Sequence, residues 1–167
     1  MAILQILQFP AGELRQICAP VTGPSEALET IVRDMIETLE SLPGCVGLAA
    51  PQVGILSRIV VVDASRYRKK VENQGRLVLV NPVVVSASGE KMGREGCLSL
   101  PAYTANVPRA TAVELRCVQE RFEPLTIRAS DFEAVVIQHE LDHLDGLLFI
   151  DRVVCPKTDL FHRKNYL

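Results

Sequence analysis

The sequence lacks the features that mark several broad classes of protein. It has no surplus of positive charge, because 18 Lys and Arg face 20 Asp and Glu and the net charge is −2, whereas general nucleic-acid-binding proteins are usually basic. No apolar run approaches the roughly 18 residues that a membrane-spanning helix requires. Residues 1–9 show neither a basic start nor a cleavage site, and no Arg- and Ser-rich transit peptide is visible. We therefore expect no targeting peptide.

The cysteines do not form a recognisable disulfide framework. There are five of them, an odd number, and no two form a C-x-x-C pair. In a chain without a secretion signal, such cysteines are expected to stay reduced, with one of them available as a metal ligand. The sequence also lacks internal repeats and low-complexity linkers. We therefore expect residues 1–167 to form a single domain.

Two segments show helical periodicity. Apolar residues recur at helical spacing over residues 25–42, and Pro43 and Gly44 then end the pattern, which predicts an amphipathic helix near the N-terminus. The second segment covers residues 130–144. It starts with Ser130 and Glu133, the pattern of a capping box.

The sequence between the helices favours antiparallel strands. The predicted strands are residues 58–63, residues 76–85 with an interruption at Asn81-Pro82, residues 112–118, and residues 125–128 pairing with the strand before them. Residues 67–75 are charged and predict an exposed loop. The order predicts an α+β fold, in which antiparallel strands pack around the second helix as a central, metal-binding element.

That second helix carries the sequence His139-Glu140-Leu141-Asp142-His143. On a helix, residues i and i+4 lie on one face, with Cβ atoms about 5–6 Å apart, so two histidines at this spacing can bind one metal ion. Glu140 lies one step round the helix, where it can handle a water at the ion without being a ligand. This is the H-E-x-x-H pattern of metal-assisted hydrolysis. A lone buried histidine would more often be a packing residue, but the pair favours a metal site.

Two histidines leave a catalytic metal one protein ligand short. Other cysteines and several carboxylates are candidates besides Cys97, and spacing alone does not choose among them. Cys97 has the most unusual neighbourhood, because Gly96 lets the backbone approach another group closely. A third segment, residues 47–54, is small and apolar with one neutral polar side chain, Gln52. That amide is either a turn filler or a hydrogen-bond donor in a site.

These three segments together resemble the peptide deformylase family. Its Gly-rich stretch ending in A-A-x-Q, its E-G-C-L-S sequence and its Q-H-E-x-D-H sequence match residues 45–52, 95–99 and 138–143, in the same order. The resemblance covers nearly the whole chain. It implies a metal-dependent hydrolase that removes the formyl group from the N-terminal formylmethionine of nascent polypeptides and releases formate.

The resemblance also implies a role for each matching residue. The implied metal ligands are Cys97, His139 and His143, with an open fourth position. Glu140 is the implied general acid and base, and Gln52 and the backbone N–H of Leu98 are the implied donors to the formyl oxygen. The residues implied to hold the peptide backbone and the methionine side chain are Val46, Gly47, Phe132, Val135 and Val136. The implied cofactor is one divalent metal ion, Fe(II) in the cell, with Zn, Ni or Co able to take its place.

The resemblance further implies a setting. The expected partners are the N-formylmethionyl peptide and, transiently, the ribosome, in a bacterial cytoplasm rather than an organelle. We expect no nucleic-acid specificity and no membrane association. Two alternatives remain: a peptidase or other amide hydrolase that uses the same metal, and a deformylase-like protein that binds metal or formyl peptides without turnover.

The chain departs from the family pattern at Cys45, where the family has glycine. The thiol either narrows the entrance of the site or fills the core beneath the loop. Arg109 likewise has two interpretations, because it either pairs with Glu95 or is a solvated surface residue. Residues 153–167 predict only a brief last helix.

Overall fold

The first predicted helix is present as α1 (Glu26–Ser41) in a computed structural model that describes residues 2–163. The hydroxyl of Ser25 accepts a hydrogen bond from the Leu28 N–H at 3.1 Å, which satisfies a backbone donor that the first turn leaves free. The apolar spacing puts Met35 and Leu39 on the buried face of this helix.

Within the described residues, eight strands and two further α-helices follow α1. The strands are β1 (Gly47–Ala49), β2 (Ile59–Asp63), β3 (Arg76–Ser88), β4 (Lys91–Cys97), β5 (Leu100–Arg109), β6 (Ala112–Val118), β7 (Pro124–Ser130) and β8 (Leu160–His162). The helices are α2 (Asp131–Leu144) and α3 (Pro156–Asp159). Every pairing between these strands is antiparallel, so the predicted α+β class is confirmed.

Five strands form the larger sheet, in the order β1-β2-β3-β6-β7. The four strands predicted from the sequence are its members β2, β3, β6 and β7, and the predicted pairing of the last two is confirmed, with Leu125 opposite Cys117. The interruption in β3 is also confirmed. The register shifts between Val80 and Val83, and Asn81 adopts a left-handed backbone with a φ of 53°.

Strand β2 of this sheet is buried on both faces. Along β2, Val60 and Val62 pack with the apolar residues of α2, whereas Ile59 and Val61 pack with those of α1. A strand covered on both sides is expected to be apolar throughout, which accounts for the uninterrupted apolar run of β2. Helix α2 therefore rests against one face of the sheet, with most of its residues buried.

The remaining three strands form a separate sheet in the order β4-β5-β8. No strand was predicted over residues 91–109, because β4 is rich in glycine and charge and β5 contains Pro101 and Pro108, a composition typical of loops. A tight turn at residues 98–99 joins β4 to β5, with Cys97 opposite Leu100. Phe149 packs beneath this sheet.

The predicted capping box at the start of α2 is wrong. Ser130 makes no side-chain capping bond. The Asp131 N–H instead donates to the carbonyl of Thr111 at 2.8 Å, so the start of the helix is held by a backbone contact with the turn between β5 and β6. Glu133 is directed elsewhere and accepts hydrogen bonds from Gln74.

The last part of the described chain contains α3 and β8, so the brief helix predicted after residue 153 is present. Residues 164–167 of that predicted tail lie outside the described residues. Among residues 2–163, no helix is long and apolar enough to cross a bilayer.

Candidate metal centre

Three potential metal ligands meet between the smaller sheet and α2. Cys97 ends β4, and His139 and His143 lie one turn apart on α2. One donor atom from each residue lies within 4.8 Å of the others, and the Cys97 Sγ lies 3.3 Å from the His143 Nε2. Because sulfur and nitrogen donors bind zinc at about 2.0–2.3 Å, donors this close together could hold one metal ion.

Glu95 fixes the ring of His139. Its Oε2 lies 2.8 Å from the His139 Nδ1, which leaves Nε2 as the ring nitrogen that can face a metal. Metal-ligating histidines almost always donate their other ring N–H to a group of this kind. This role of Glu95 was not predicted from the sequence. The available signal was its position two residues before Cys97 in the same strand, since such side chains project from the same face.

Arg109 is buried and pairs with Glu95, so the solvated alternative is wrong. Its Nε and Nη2 donate to the two Glu95 oxygens at 2.8 and 3.0 Å, and its Nη1 donates to the Asp142 Oδ2 at 2.7 Å. Asp142 also accepts a hydrogen bond from Arg152 at 2.7 Å. Burial would raise the pKa of both carboxyls, but these hydrogen bonds, with that of His139 to Glu95, lower both pKa values below their usual range.

The three candidate ligands perturb one another strongly. Burial would raise the pKa of the Cys97 thiol, but the positive charge and hydrogen bonds of His143 and His139 lower its pKa well below the usual range. Burial would lower the pKa of His139, yet Cys97 and Glu95 raise that pKa well above the usual range. The centre therefore favours the thiolate form of Cys97 and the protonated form of His139. A divalent cation would replace these protons, because it binds thiolate and neutral imidazole.

Glu140 lies beside this group on α2 and is 5% exposed. Burial raises the pKa of its carboxyl to about 7, against the lowering effect of His139 and His143. Gly47 makes room for it, because a Cβ added at Gly47 would overlap the carboxylate and lie 2.8 Å from the Glu140 Cγ. The carboxylate is therefore confined against the backbone of β1.

Gln52 presents its amide nitrogen to the same point. Its Oε1 accepts a hydrogen bond from the Ala49 N–H at 2.9 Å. Its Nε2 donates to the Ser99 Oγ at 3.2 Å and to the Cys97 Sγ at 3.4 Å. Gln52 thus does what both interpretations proposed, since it braces a turn and also aims a donor at the centre. Ser99, which was not singled out from the sequence, helps to set the direction of that donor.

The centre opens into a cleft of about 380 Å³. Cys97, His139 and Glu140 line it together with Gln52 and Leu98, whereas His143 is buried behind them. All the residues expected to hold a substrate also line the cleft, namely Val46, Gly47, Phe132, Val135 and Val136. Apart from His143, the predicted site residues therefore all line one opening.

Tyr67 is a cleft residue that was not predicted from the sequence, because the charged residues around it indicated an exposed loop. Its ring stacks on Phe132 with the centroids 4.1 Å apart, and it lines the cleft. Gln74, near the other end of this loop, binds Glu133 of α2. The two Glu133 oxygens accept hydrogen bonds from the backbone N–H and the side-chain amide of Gln74 at 2.9 and 2.8 Å. Glu133 and Phe132 of α2 thus contact opposite ends of the 67–75 loop.

Cys45 lies at the border of the cleft, but its side chain belongs to the core. It is 7% exposed and packs with the apolar residues between α1 and the larger sheet. Its thiol donates to the Gly47 carbonyl at 3.2 Å. Burial raises the pKa of this thiol to about 12, with a further increase from Glu140. Of the two interpretations, the structure favours core filler over gate.

The residues present fit a bound cation. The donor set of one thiol and two imidazoles suits zinc, iron or nickel, and the ring of His139 is braced by Glu95. Within residues 2–163, the Glu140 Oε2 and the His143 Nδ1 are buried polar atoms without a hydrogen-bond partner. Such atoms are rare in proteins, and an unpartnered Glu140 oxygen beside three metal donors fits a site that also receives a polar ligand.

A family model described as polypeptide deformylase matches residues 3–159 of the chain. The chain is also 48% identical, over 164 residues, to peptide deformylase 2 of Vibrio vulnificus, an alignment that covers 98% of this chain and 94% of that protein. A family match over this length extends from before α1 to the end of α3.

Solved structures show the same fold. A peptide deformylase from Legionella pneumophila superposes with a TM-score of 0.84 at 39% identity, covering 93% of this chain and 89% of that one. A class I type b peptide deformylase from Acinetobacter baumannii, solved with Met-Ala-Ser bound, superposes with a TM-score of 0.85 at 31% identity, covering 91% of this chain and all of that one.

Arg109→Met is expected to destabilise the protein by about 3–5 kcal/mol, because it leaves the carboxylates of Glu95 and Asp142 buried without their shared cation. The free energy of unfolding, measured by urea denaturation, checks this. Arg128→Met is the matched control, since Arg128 pairs with Glu114 on the exposed face of β7 and its loss should change the midpoint little. An Arg109→Met protein as stable as the wild type would show that the buried pairs are dispensable.

Proposed function

The chain belongs to the polypeptide deformylase family, and from this premise we propose that it removes the formyl group from the N-terminal formylmethionine of nascent polypeptides. The products are formate and a free α-amino group. The observation that carries the proposal is the arrangement around the cleft, where a Cys-His-His group, a buried carboxyl and an amide donor surround one point. A metal-dependent amide hydrolase uses these three kinds of group to activate water and stabilise negative charge.

We propose that Cys97, His139 and His143 hold one divalent cation. Fe(II) is the ion that we expect in the cell, with Zn, Ni or Co as substitutes. Thiolate and imidazole donors suit these metals. When bound, the cation would lower the pKa of a water toward neutrality. Metal analysis of protein purified without air identifies the ion.

Glu140 is proposed to move the protons of the reaction. Its carboxyl is buried beside the donor group, and its pKa of about 7 lets it both accept and release a proton near neutral pH. It takes a proton from the attacking water and delivers it to the amine nitrogen as the C–N bond breaks. Because Gly47 has no side chain, the Glu140 carboxylate can lie directly against the backbone of β1 beside the cleft.

Gln52 and the backbone N–H of Leu98 are proposed to stabilise the oxygen on which negative charge develops. The amide of Gln52 is fixed by Ala49 and Ser99, so the N–H that now points to the Cys97 Sγ is the one that would donate to this oxygen. Preorganised donors of this kind typically lower a barrier by about 2.7–4 kcal/mol each. Leu98 belongs to the turn after Cys97 and lines the same cleft, which supports this role for its N–H.

The apolar end of the cleft is proposed to take the methionine side chain. Phe132, Val135, Val136 and Val46 line it, and Tyr67 covers Phe132. Beside this end, Gly47 offers backbone to the peptide. The structure of a family member with Met-Ala-Ser bound supports a cleft that accepts a peptide with this side chain.

We propose that the reaction takes place in a bacterial cytoplasm, with the ribosome as a transient partner. The named relatives are bacterial, and the substrate is the newly made N-terminus of a polypeptide. Binding of the protein to purified ribosomes, with and without a nascent formylated chain, tests this association.

A formate-release assay tests the proposed reaction. Metal-loaded protein should release formate from formyl-Met-Ala-Ser and leave both acetyl-Met-Ala-Ser and the internal amides of Met-Ala-Ser intact. Hydrolysis of an internal amide would favour the peptidase alternative. Binding of the formyl peptide without formate would favour a binding protein.

In the same assay, Glu140→Gln should reduce turnover about 10²–10⁴-fold, the usual contribution of a general acid or base. Glu140 is not among the metal donors, so the variant should still bind metal in stoichiometric amount. Near-normal formate release from the metal-loaded variant would remove Glu140 from the mechanism.

Gly47→Ala should impair turnover without loss of metal, because the new methyl group overlaps the Glu140 carboxylate. We expect a loss of about 10²-fold, the effect of misplacing a catalytic group by about 1 Å. Gly93→Ala is the matched control, since a Cβ at Gly93 meets nothing within 4 Å. Equal kcat for the Gly47→Ala and Gly93→Ala proteins would contradict the proposed confinement of Glu140.

Cys45→Gly should lower stability by about 1–2 kcal/mol, because it removes a buried side chain and frees the backbone. The ratio of kcat/KM for a long formyl peptide to that for a short one should not change. Cys155→Gly, at an exposed cysteine, is the control for thiol loss. A higher ratio in the Cys45→Gly protein would show instead that the thiol narrows the entrance.

A further inference from the structure

The residues that line the cleft differ in chemistry with the element that carries them. Those on α2 include the apolar residues Phe132, Val135 and Val136. Those on β4 and just after β8 include Arg94, Gly96 and Arg163. The proposed mechanism assigns the formyl group to Gln52 and Leu98 and the methionine side chain to the apolar residues. It assigns no partner to the rest of a peptide substrate and no role to the two arginines.

Arg94 is held in place by neutral groups. Its Nε donates to the Asn106 Oδ1 at 2.9 Å and its Nη1 donates to the Thr104 Oγ1 at 3.3 Å. Its guanidinium also lies 3.5 Å from the centre of the Phe161 ring. These contacts fix the side chain without neutralising it, and they leave Nη2 out of both hydrogen bonds.

Arg163 is brought to the same place by the pairing of β8 with β5. Its N–H donates to the Ala102 carbonyl at 2.8 Å, just beyond the last residue of β8. A Cβ built on Gly96 would lie 2.5 Å from the Arg163 Nη2, so the guanidinium lies against the glycine that precedes Cys97. A side chain at position 96 would displace it.

These two positive charges have no acidic counterpart in the cleft. Within residues 2–163, neither arginine takes part in an ion pair. The acidic residues that line the cleft are Glu95 and Glu140. Both are buried, and Glu95 is already bound to Arg109 and His139. The lining that β4 and the residue after β8 contribute to the cleft is therefore cationic, although the whole chain carries a net charge of −2.

We propose that Arg94 and Arg163 form a carboxylate-binding subsite that favours substrates with an acidic group one or two residues after formylmethionine. The inference rests on the proposed function of the cleft. Guanidinium groups bind carboxylates through paired N–H donors. In a nascent chain the carboxylate is an Asp or Glu side chain, whereas in a free tripeptide the C-terminus offers the same chemistry.

Five peptides separate these sources. Formyl-Met-Ala-Asp-amide, formyl-Met-Ala-Asn-amide and formyl-Met-Ala-Lys-amide differ only in the third side chain. Formyl-Met-Ala-Ser as free acid and as amide differ only at the C-terminus. The Asp peptide should have a kcat/KM about fivefold above the Asn peptide at low salt, the Lys peptide should fall below both, and the advantage should shrink at about 0.5 M salt.

Variants assign the effect to the two arginines. The Arg94→Gln, Arg163→Gln double variant should bring the Asp-to-Asn ratio of kcat/KM close to one, and Arg94→Lys should retain more of it than Arg94→Gln. Arg116→Gln is the control, since Arg116 is exposed on β6 and should keep the wild-type ratio. A wild-type ratio near one, or a ratio that survives in the double variant, would overturn the subsite.

A binding measurement separates this inference from the proposed reaction. Calorimetry with the deformylated peptides Met-Ala-Asp-amide and Met-Ala-Asn-amide requires no turnover. Tighter binding of the Asp peptide by the wild type but not by the double variant supports the subsite even if formate release fails. Equal binding of the two peptides by an enzyme that does release formate rejects the subsite and leaves the proposed function standing.

Discussion

The ion pair between Glu95 and Arg109 is the interaction on which the rest of the site depends. Both side chains are buried, and a buried charge is tolerated only when it is paired. Arg109 also reaches Asp142, while Glu95 reaches His139. These charged residues lie on β4, β5 and α2. Each element can therefore bury its charge only when it packs against the others. The requirement to neutralise them brings the smaller sheet against the helix, and it also orients a proposed metal ligand.

Helix α2 supplies three residues of the proposed catalytic centre. Its geometry places His139 and His143 on one face with Glu140 beside them, and burial raises the pKa of the Glu140 carboxyl toward neutrality. The partners come from elsewhere in the chain: Cys97 at the end of β4, and Gln52 in the turn after β1. Each is held before any substrate arrives, which is the condition for electrostatic stabilisation to lower a barrier.

The cleft lining is chemically uneven. It includes the stacked rings of Tyr67 and Phe132, and it also includes Arg94 and Arg163. In the proposed reaction the apolar residues would recognise the first residue of the substrate by burial of its side chain. The two arginines would act on the second and third residues of the peptide, through a longer-ranged interaction that salt weakens.

The sequence by itself determined the features that local periodicity and short motifs can express. It predicted both major helices, four strands of the larger sheet and the His139–Glu140–His143 spacing, because these arise from residue patterns within one element. Only the tertiary structure decided the contacts between distant segments: that Glu133 binds Gln74 instead of capping α2, that Tyr67 enters the cleft, and that Arg109 is buried. The smaller sheet was also beyond the sequence, because its glycines and prolines acquire strand geometry through pairing and packing. Such contacts depend on which elements pack together in the fold, and a local sequence pattern does not specify this.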